Sequence, residues 1–333
     1  LDFEDLRFAL SGCGYYYRWA CRYQEGAAFF SELLTSFQIV RSTMSNNVSN
    51  ATDVLVDVQN SLLLEANLNL WSGTFVGFLS LWPQADEFLE AAQAGFARRE
   101  LAEIDTRLEE AHLDLQLGYG RLYTHPEVAY AYFQDSNQLF EAVGDRWETA
   151  YARLAIGKAA RDQRRLADAR QATRASLQLF QRMGNKTGVC QALNTMASIA
   201  LYELQFQAAI DAIADSESSR TPSDSDGHAV ALYYLGKTFF WSGEFSAAVQ
   251  AYSDCLRLRI ELGMDFFEVG ARLALASVQL HLGETEEAIA AARLADGVMD
   301  RQRSDHGQTF TEIMLAHTAL CEGSFEQALS RYQ

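Results

Sequence analysis

Apolar residues recur along this chain with the spacing of helices buried on one side, with no strand-like alternation in its clearest stretch. That stretch runs from His228 to Gly263. Two apolar-periodic runs flank a single break at Gly243, and Gly236 and Ala248 place small residues where the two helices must cross. One such hairpin cannot bury its own apolar face and needs neighbours. Sliding from Phe245 finds them. Phe206, Leu166 and Pro126 lie upstream, and Thr285 and Phe325 downstream, at steps of 39 or 40 residues. Trp82 and Tyr23 continue the series in a looser register. A small residue sits nine places before most of these anchors (Gly14, Gly73, Gly157, Ala197, Gly236, Ala276, Ala316). Another sits three places after (Gly26, Ala85, Ala129, Ala169, Ala209, Ala248, Ala288, Ala328). The unit anchored on Pro126 is imperfect, with Leu117 at the small position and Gly118 one place late.

The pattern predicts about sixteen antiparallel helices in one all-α solenoid domain spanning 1–333. Its hairpins fall near 1–40, 51–98, 100–143, 145–183, 186–219, 228–263, 265–302 and 308–333. Stretches 41–50 and 216–227 are crowded with Ser, Asn, Asp, Pro and Gly and read as loops. Leu62 to Leu81 reads as an unusually long first helix.

The small residue, the turn aromatic (Tyr23, Trp82, Phe206, Phe245, Phe325) and the second small residue together resemble the tetratricopeptide repeat. The usual period of that repeat is about 34 residues. The longer period here closes in glycine turns, Gly144-Asp145, Gly184-Asn185 and Gly263-Met264. This variant is similar to the repeat region of bacterial signal-transduction ATPases with numerous domains, including regulators like the maltose regulator. HEAT-type repeats share the period but do not require the turn motif. The resemblance implies a right-handed superhelix and a role as the sensor or interaction part of a larger switch protein. An ATPase would then lie before residue 1. The chain opens inside a helical pattern and stops midway through a second helix, as an excerpt would.

Composition narrows the partners. Twenty-seven Lys and Arg against 44 Asp and Glu give a net charge of −17, which disfavours nucleic acid and anionic membrane surfaces. Apolar content of 49% suffices for a continuous core, and only three prolines interrupt it. Pro83 and Pro126 fall at helix starts, where a missing N–H costs little. Five cysteines without Cys-x-x-Cys spacing suggest free thiols in a reducing cytoplasm. No uninterrupted apolar run reaches membrane-spanning length, and no signal peptide is visible.

No phosphate loop, dinucleotide fingerprint or nucleophile elbow occurs in the sequence. The six histidines are scattered. The expectation is a non-enzyme without metal or cofactor. In repeats of this kind the first helices line the concave face. The register places Tyr151, Lys158, Arg161, Asn194, Tyr202, Tyr233, Lys237 and Trp241 there as the binding surface. Tyr15, Arg18, Trp19, Asn67, Phe78, Arg121, Gln191, His281, Phe310 and His317 extend it. Aromatic and cationic groups facing inward in an acidic chain point to a protein or peptide partner, acidic ones included, held in that groove. A sugar or metabolite in an aromatic groove, and a free-standing peptide scaffold, are the alternatives. The solenoid ends offer a route to self-association.

Overall fold

The computed structural model describes residues 3–20, 22–44, 51–79 and 81–302, then 312, 315, 316, 319 and 324–332. All regular secondary structure among them is helical. Contacts divide the chain into two compact units, Leu1–Gln163 and Arg164–Gln333. The N-terminal unit holds α1 (Phe3–Trp19), α2 (Tyr23–Met44), α3 (Ala51–Phe78) and α4 (Trp82–Phe96). A short 3₁₀ turn at Arg99–Leu101 leads to α5 (Arg107–Arg121), α6 (Pro126–Val143) and α7 (Arg146–Asp162). The C-terminal unit holds α8 (Leu166–Met183), α9 (Lys186–Tyr202), α10 (Phe206–Ser219) and α11 (Ser225–Ser242). It continues with α12 (Phe245–Glu261), α13 (Asp265–Leu282), α14 (Thr285–Gln302) and α15 (Phe325–Tyr332).

Each sequence anchor is the first residue of a second helix: Tyr23, Trp82, Pro126, Leu166, Phe206, Phe245, Thr285 and Phe325. The small residue one turn later reaches the crossing. Ala85, Ala129, Ala169, Ala209, Ala248 and Ala288 have no exposed surface. The partner position on the first helix is as tight. A methyl added at Gly236 would meet the Tyr252 ring at 2.7 Å, and one at Gly73 would meet Leu89 at 2.8 Å. In the imperfect hairpin the close approach moves to Gly118, whose Cβ would strike Phe133 at 2.4 Å. Leu117 packs instead into the preceding core with Leu89 and Phe96. The fold is therefore an all-α stack of tetratricopeptide-type hairpins.

Turn chemistry explains where the helices stop. Gly144 and Gly184 adopt φ of 82° and 68° and close α6 and α8. The next residue caps the following helix: Asp145 accepts from Trp147 and Glu148 N–H groups, and Asn185 from that of Gly188. In four hairpins the turn has a left-handed residue two places before the anchor. Gly243 and Gly283 supply it in two hairpins, but Arg164 and Leu204 supply it in two others, at φ of 62° and 58°. Side chains in that region cost roughly 1–2 kcal/mol each, so these turns are held by the packing of the helices they join.

Two loop expectations are corrected. Arg41 to Met44 belong to α2, and residues 45–50 lie outside the described residues. Residues 216–219 belong to α10, and α11 begins at Ser225. Ser216 is buried, and its hydroxyl donates to the Cys190 carbonyl at 3.2 Å. That tertiary bond overrides a turn-forming local composition. Phe310, His317, Cys21 and Cys321 also lie outside the described residues, as does the Trp19 side chain.

Within each unit, first helices touch first helices (α3 with α5, α5 with α7; α9 with α11, α11 with α13), and second helices make no comparable contact. The first helices thus share the inner side of each unit.

The crossing alanines make a direct test. Ala248→Leu and Ala288→Leu should each lower unfolding free energy in urea by about 1–3 kcal/mol through overpacking. Leu294→Ala, at an exposed position of α14, should change it by less than about 0.5 kcal/mol.

Candidate functional site

In the N-terminal unit the inner side is occupied by the protein's own side chains. Arg7 of α1 donates through Nε to Glu109 Oε1 at 2.6 Å and through Nη2 to the Asp105 carbonyl at 3.2 Å. The Tyr15 hydroxyl meets His112 Nε2 at 2.7 Å. Arg18 donates to Glu148 Oε1 at 2.8 Å, and its guanidinium lies 4.8 Å from the centre of the Tyr151 ring. Three residues of α1 therefore reach α5 and α7, about a hundred residues away in sequence. Glu109 and Glu148 are almost wholly buried, and one oxygen of each has no hydrogen-bond partner.

The expected groove residues of this unit join or flank that lattice. Tyr15, Arg18 and Tyr151 are part of it. Lys158 lies 5.9 Å from the centre of the Tyr119 ring. Arg161 was expected to face a partner. It is buried at 7% exposure and forms a two-point pair with its neighbour Asp162, at 2.7 and 2.9 Å. Asn67 is buried and donates to the Leu63 carbonyl of its own helix, and Arg121 pairs with Asp86. Sequence reasoning missed Glu109, His112 and Glu148. The repeat register carried a signal, since Glu109 and Glu148 stand 39 residues apart on successive first helices.

Burial first, and then the Arg18 guanidinium, push the His112 imidazole down to about 3. The neutral ring shares its Nε2 hydrogen bond with Tyr15, whose own hydroxyl is held protonated by burial and the Glu148 carboxylate. On the same helix, burial and the nearby carboxylates of Asp135 and Glu110 push Asp114 up to about 7.

In the C-terminal unit, Asn194 is 2% exposed and donates to the Gly227 carbonyl at 3.1 Å, tying α9 to α11. Its Oδ1 has no partner. Asn194 thus braces the inner side rather than presenting itself on it. Tyr202 lies beneath the Arg164 guanidinium, 4.3 Å from its ring centre. Tyr233, Lys237 and Trp241 follow one another at intervals of four along α11 and form one stripe. Lys237 Nζ sits 5.9 Å from the Tyr233 ring centre. Trp241 is 59% exposed and meets Phe240 edge-on at 6.0 Å. His281 Nδ1 is 2.8 Å from the Ser277 carbonyl of its own helix, and its ring lies against Phe240. The eight expected residues divide between the units, three in the first and five in the second. Among the five, the structure brings Tyr233, Lys237 and Trp241 onto one line. No group of three or more metal-ligating side chains converges among the described residues, and no described helix is long and apolar enough to cross a membrane.

No family model and no curated protein matches this sequence. Solved structures match it in fold. A Rap protein complexed with competence and sporulation factor is similar over 94% of this chain and 96% of that one, at a TM-score of 0.64 and 12% identity. NprR in complex with its cognate peptide NprX is similar over 87% of this chain and 79% of that one, with a TM-score of 0.58 and 13% identity. A signal transduction ATPase with numerous domains from Pyrococcus horikoshii, carrying a tetratricopeptide repeat sensor, matches over 94% of this chain and 52% of that one, with a TM-score of 0.53 and 12% identity. At such identities the likeness shows the fold. The structural neighbours are tetratricopeptide-like helical-repeat proteins.

Two outcomes test the inner lattice. Arg18→Ala leaves a buried Glu148 carboxylate uncompensated and should cost about 3–5 kcal/mol in urea unfolding. The double variant Arg18→Met/Glu148→Leu should lose much less. For His112 the folded state refuses a proton that the unfolded chain accepts. Its contribution is fully present above the unfolded value near pH 6.5 and is lost as pH falls from there toward about 3, at roughly 1.4 kcal/mol per pH unit. Asp114 acts with the opposite sign over the window between about 7 and its ordinary value. Urea midpoints measured from pH 7 to pH 5 should therefore fall less steeply for His112→Gln than for the parent. They should fall more steeply for Asp114→Asn.

Proposed function

We propose that this chain is a non-catalytic binding module for a protein or peptide segment, serving as the sensor or interaction part of a larger signalling protein. The carrying observation is the stripe Tyr233, Lys237 and Trp241 along α11, where Trp241 stands 59% exposed and Lys237 lies against the Tyr233 ring. An exposed tryptophan offers much apolar contact area at low entropy cost, and such residues dominate binding energy. Tyr202 under Arg164 adds a second aromatic and cationic pair on α9, and the Asn194 brace holds α9 and α11 together beneath them. Tyr151 and Lys158 of the N-terminal unit belong to the same class of inner-side residue. The bound factor and bound peptide named for the two regulator structures above support a peptide as the ligand class. The sensor named in the ATPase structure supports a place in a larger protein. A cytoplasmic setting is supported by free thiols at Cys13, Cys190 and Cys255, the last held protonated by burial, up to about 11.

A peptide display library panned against the whole chain, with calorimetry on the recovered sequences, tests the reading. Trp241→Ala with Lys237→Ala should weaken binding by about 2 kcal/mol or more. Glu286→Ala with Glu287→Ala on α14 should leave it nearly unchanged. A greater loss from the α14 pair would place the surface elsewhere, and a library yielding no binder would defeat the module itself.

A further inference from the structure

Charge in the C-terminal unit is segregated. Residues 164–186 carry six Lys and Arg and one acid, Asp168, for a local charge of +5. Residues 187–333 carry nine Lys and Arg against twenty acids, for −11. The basic segment is largely α8, a second helix, on the side away from the inner stripe of α11.

The helix presents a shaped surface. A shallow depression of about 550 Å³ runs along it, lined by Ala167, Gln171, Ala175 and Gln178, with Arg170, Arg174 and Glu203 at its edges. Alanines eight residues apart keep this face low, and two glutamine amides stand along it. Arg170 is paired with Glu203, and Arg165 with Asp168. Arg174 and Arg182 are exposed and have no carboxylate in ion-pair contact among the described residues. Two guanidinium groups are thus held eight residues apart on one helix face, in a protein with a large excess of acids.

We propose that the exposed face of α8 is a docking surface for a short acidic segment of a partner protein, with its carboxylates on Arg174 and Arg182 and its backbone on the glutamine amides. Guanidinium groups bind carboxylates with charge-assisted, two-point hydrogen bonds. Charge complementarity selects the class of partner, and reach selects its size. The screening length at physiological salt is about 8 Å, so a short segment confined to α8 meets only the basic zone. A nucleic acid would run on over a surface of charge −11. A second copy of this chain would bring its own −17 against −17.

The probe is a fluorescein-labelled oligoglutamate peptide, titrated by anisotropy against the whole chain. It should bind, weaken as salt is raised, and lose roughly tenfold in affinity for each arginine reversed in Arg174→Glu and Arg182→Glu. Both side chains are exposed, so unchanged circular dichroism should accompany that loss. Trp241→Ala with Lys237→Ala should leave oligoglutamate binding intact, which separates this surface from the α11 stripe. Equal binding by the reversed variants overturns the proposal, as does transfer of the loss to the α11 variants. Tighter binding of a labelled oligothymidylate would assign the face to nucleic acid instead. A salt-sensitive dimer in sedimentation that the reversed variants dissolve would assign it to a second copy.

Discussion

The closest approach of two helix backbones governs this structure. At the α3–α4, α9–α10, α11–α12 and α13–α14 crossings a buried alanine lies on the second helix, three places after its start, and a glycine or alanine on the first helix answers it. With Ala248 wholly buried and Gly236 against the Tyr252 ring, there is no room for another carbon. That spacing sets how deeply the large residues beside the crossing interdigitate, and hence the burial that stabilises each hairpin on the next. The departure in the α5–α6 hairpin follows the same rule. Where Leu117 takes the small position, Gly118 moves into contact with Phe133 and the leucine is used by the neighbouring core.

The N-terminal unit adds a second principle to this apolar one. Leu10 is the only wholly buried large apolar residue that α1 contributes among those described. Its position across the inner side is fixed by Arg7, Tyr15 and Arg18, each meeting a buried polar group on α5 or α7. Buried ion pairs are weak sources of net stability but penalise every arrangement that leaves one member alone. α1 is consequently specified more sharply than its apolar contacts alone would specify it. His112 fits that role, since burial and the Arg18 guanidinium keep its ring neutral down to about 3 beside the Tyr15 hydroxyl.

The repeat was legible because the same steric demand is written into the chain again and again, so Phe206, Phe245 and Ala288 could be placed by counting. The side chains of the candidate surface were harder. Counting assigns a residue to a helix face, but burial depends on what the neighbouring helix supplies. Arg161 finds Asp162 beside it and turns inward, and Asn194 finds a bare carbonyl at Gly227. Lattice partners such as Arg18 and Glu148 are 130 residues apart, a pairing no local pattern announces. Ser216 failed for the opposite reason, as loop-forming composition was overruled by its buried bond to Cys190, while Arg41 extends α2 at an exposed position and pairs with Glu65. Tyr233, Lys237 and Trp241 fall in line because all three lie on one helix, where spacing alone determines alignment.

The arginines show how a strongly acidic chain distributes its few cations. In the N-terminal unit Arg7, Arg18, Arg121, Arg153 and Arg161 are each matched to a carboxylate. Such pairing is what an excess of acids makes easy, since most positions a guanidinium can reach already hold one. Over residues 164–186, which include α8, the acids have been withdrawn: one aspartate remains among six cations, and Arg174 and Arg182 stay exposed to solvent. Solubility does not require this, because the net charge of −17 already serves it. Nor does burial, which uses Ala169, Thr173, Ser176 and Phe180 on the other face of the helix. A local field of opposite sign is strongest where its surroundings cannot neutralise it, and α8 provides that condition on a face separate from the aromatic stripe of α11. Within the unit the exposed Trp241 stands on α11 and the exposed Arg174 and Arg182 stand on α8, so its exposed aromatic and cationic side chains are carried by different helices.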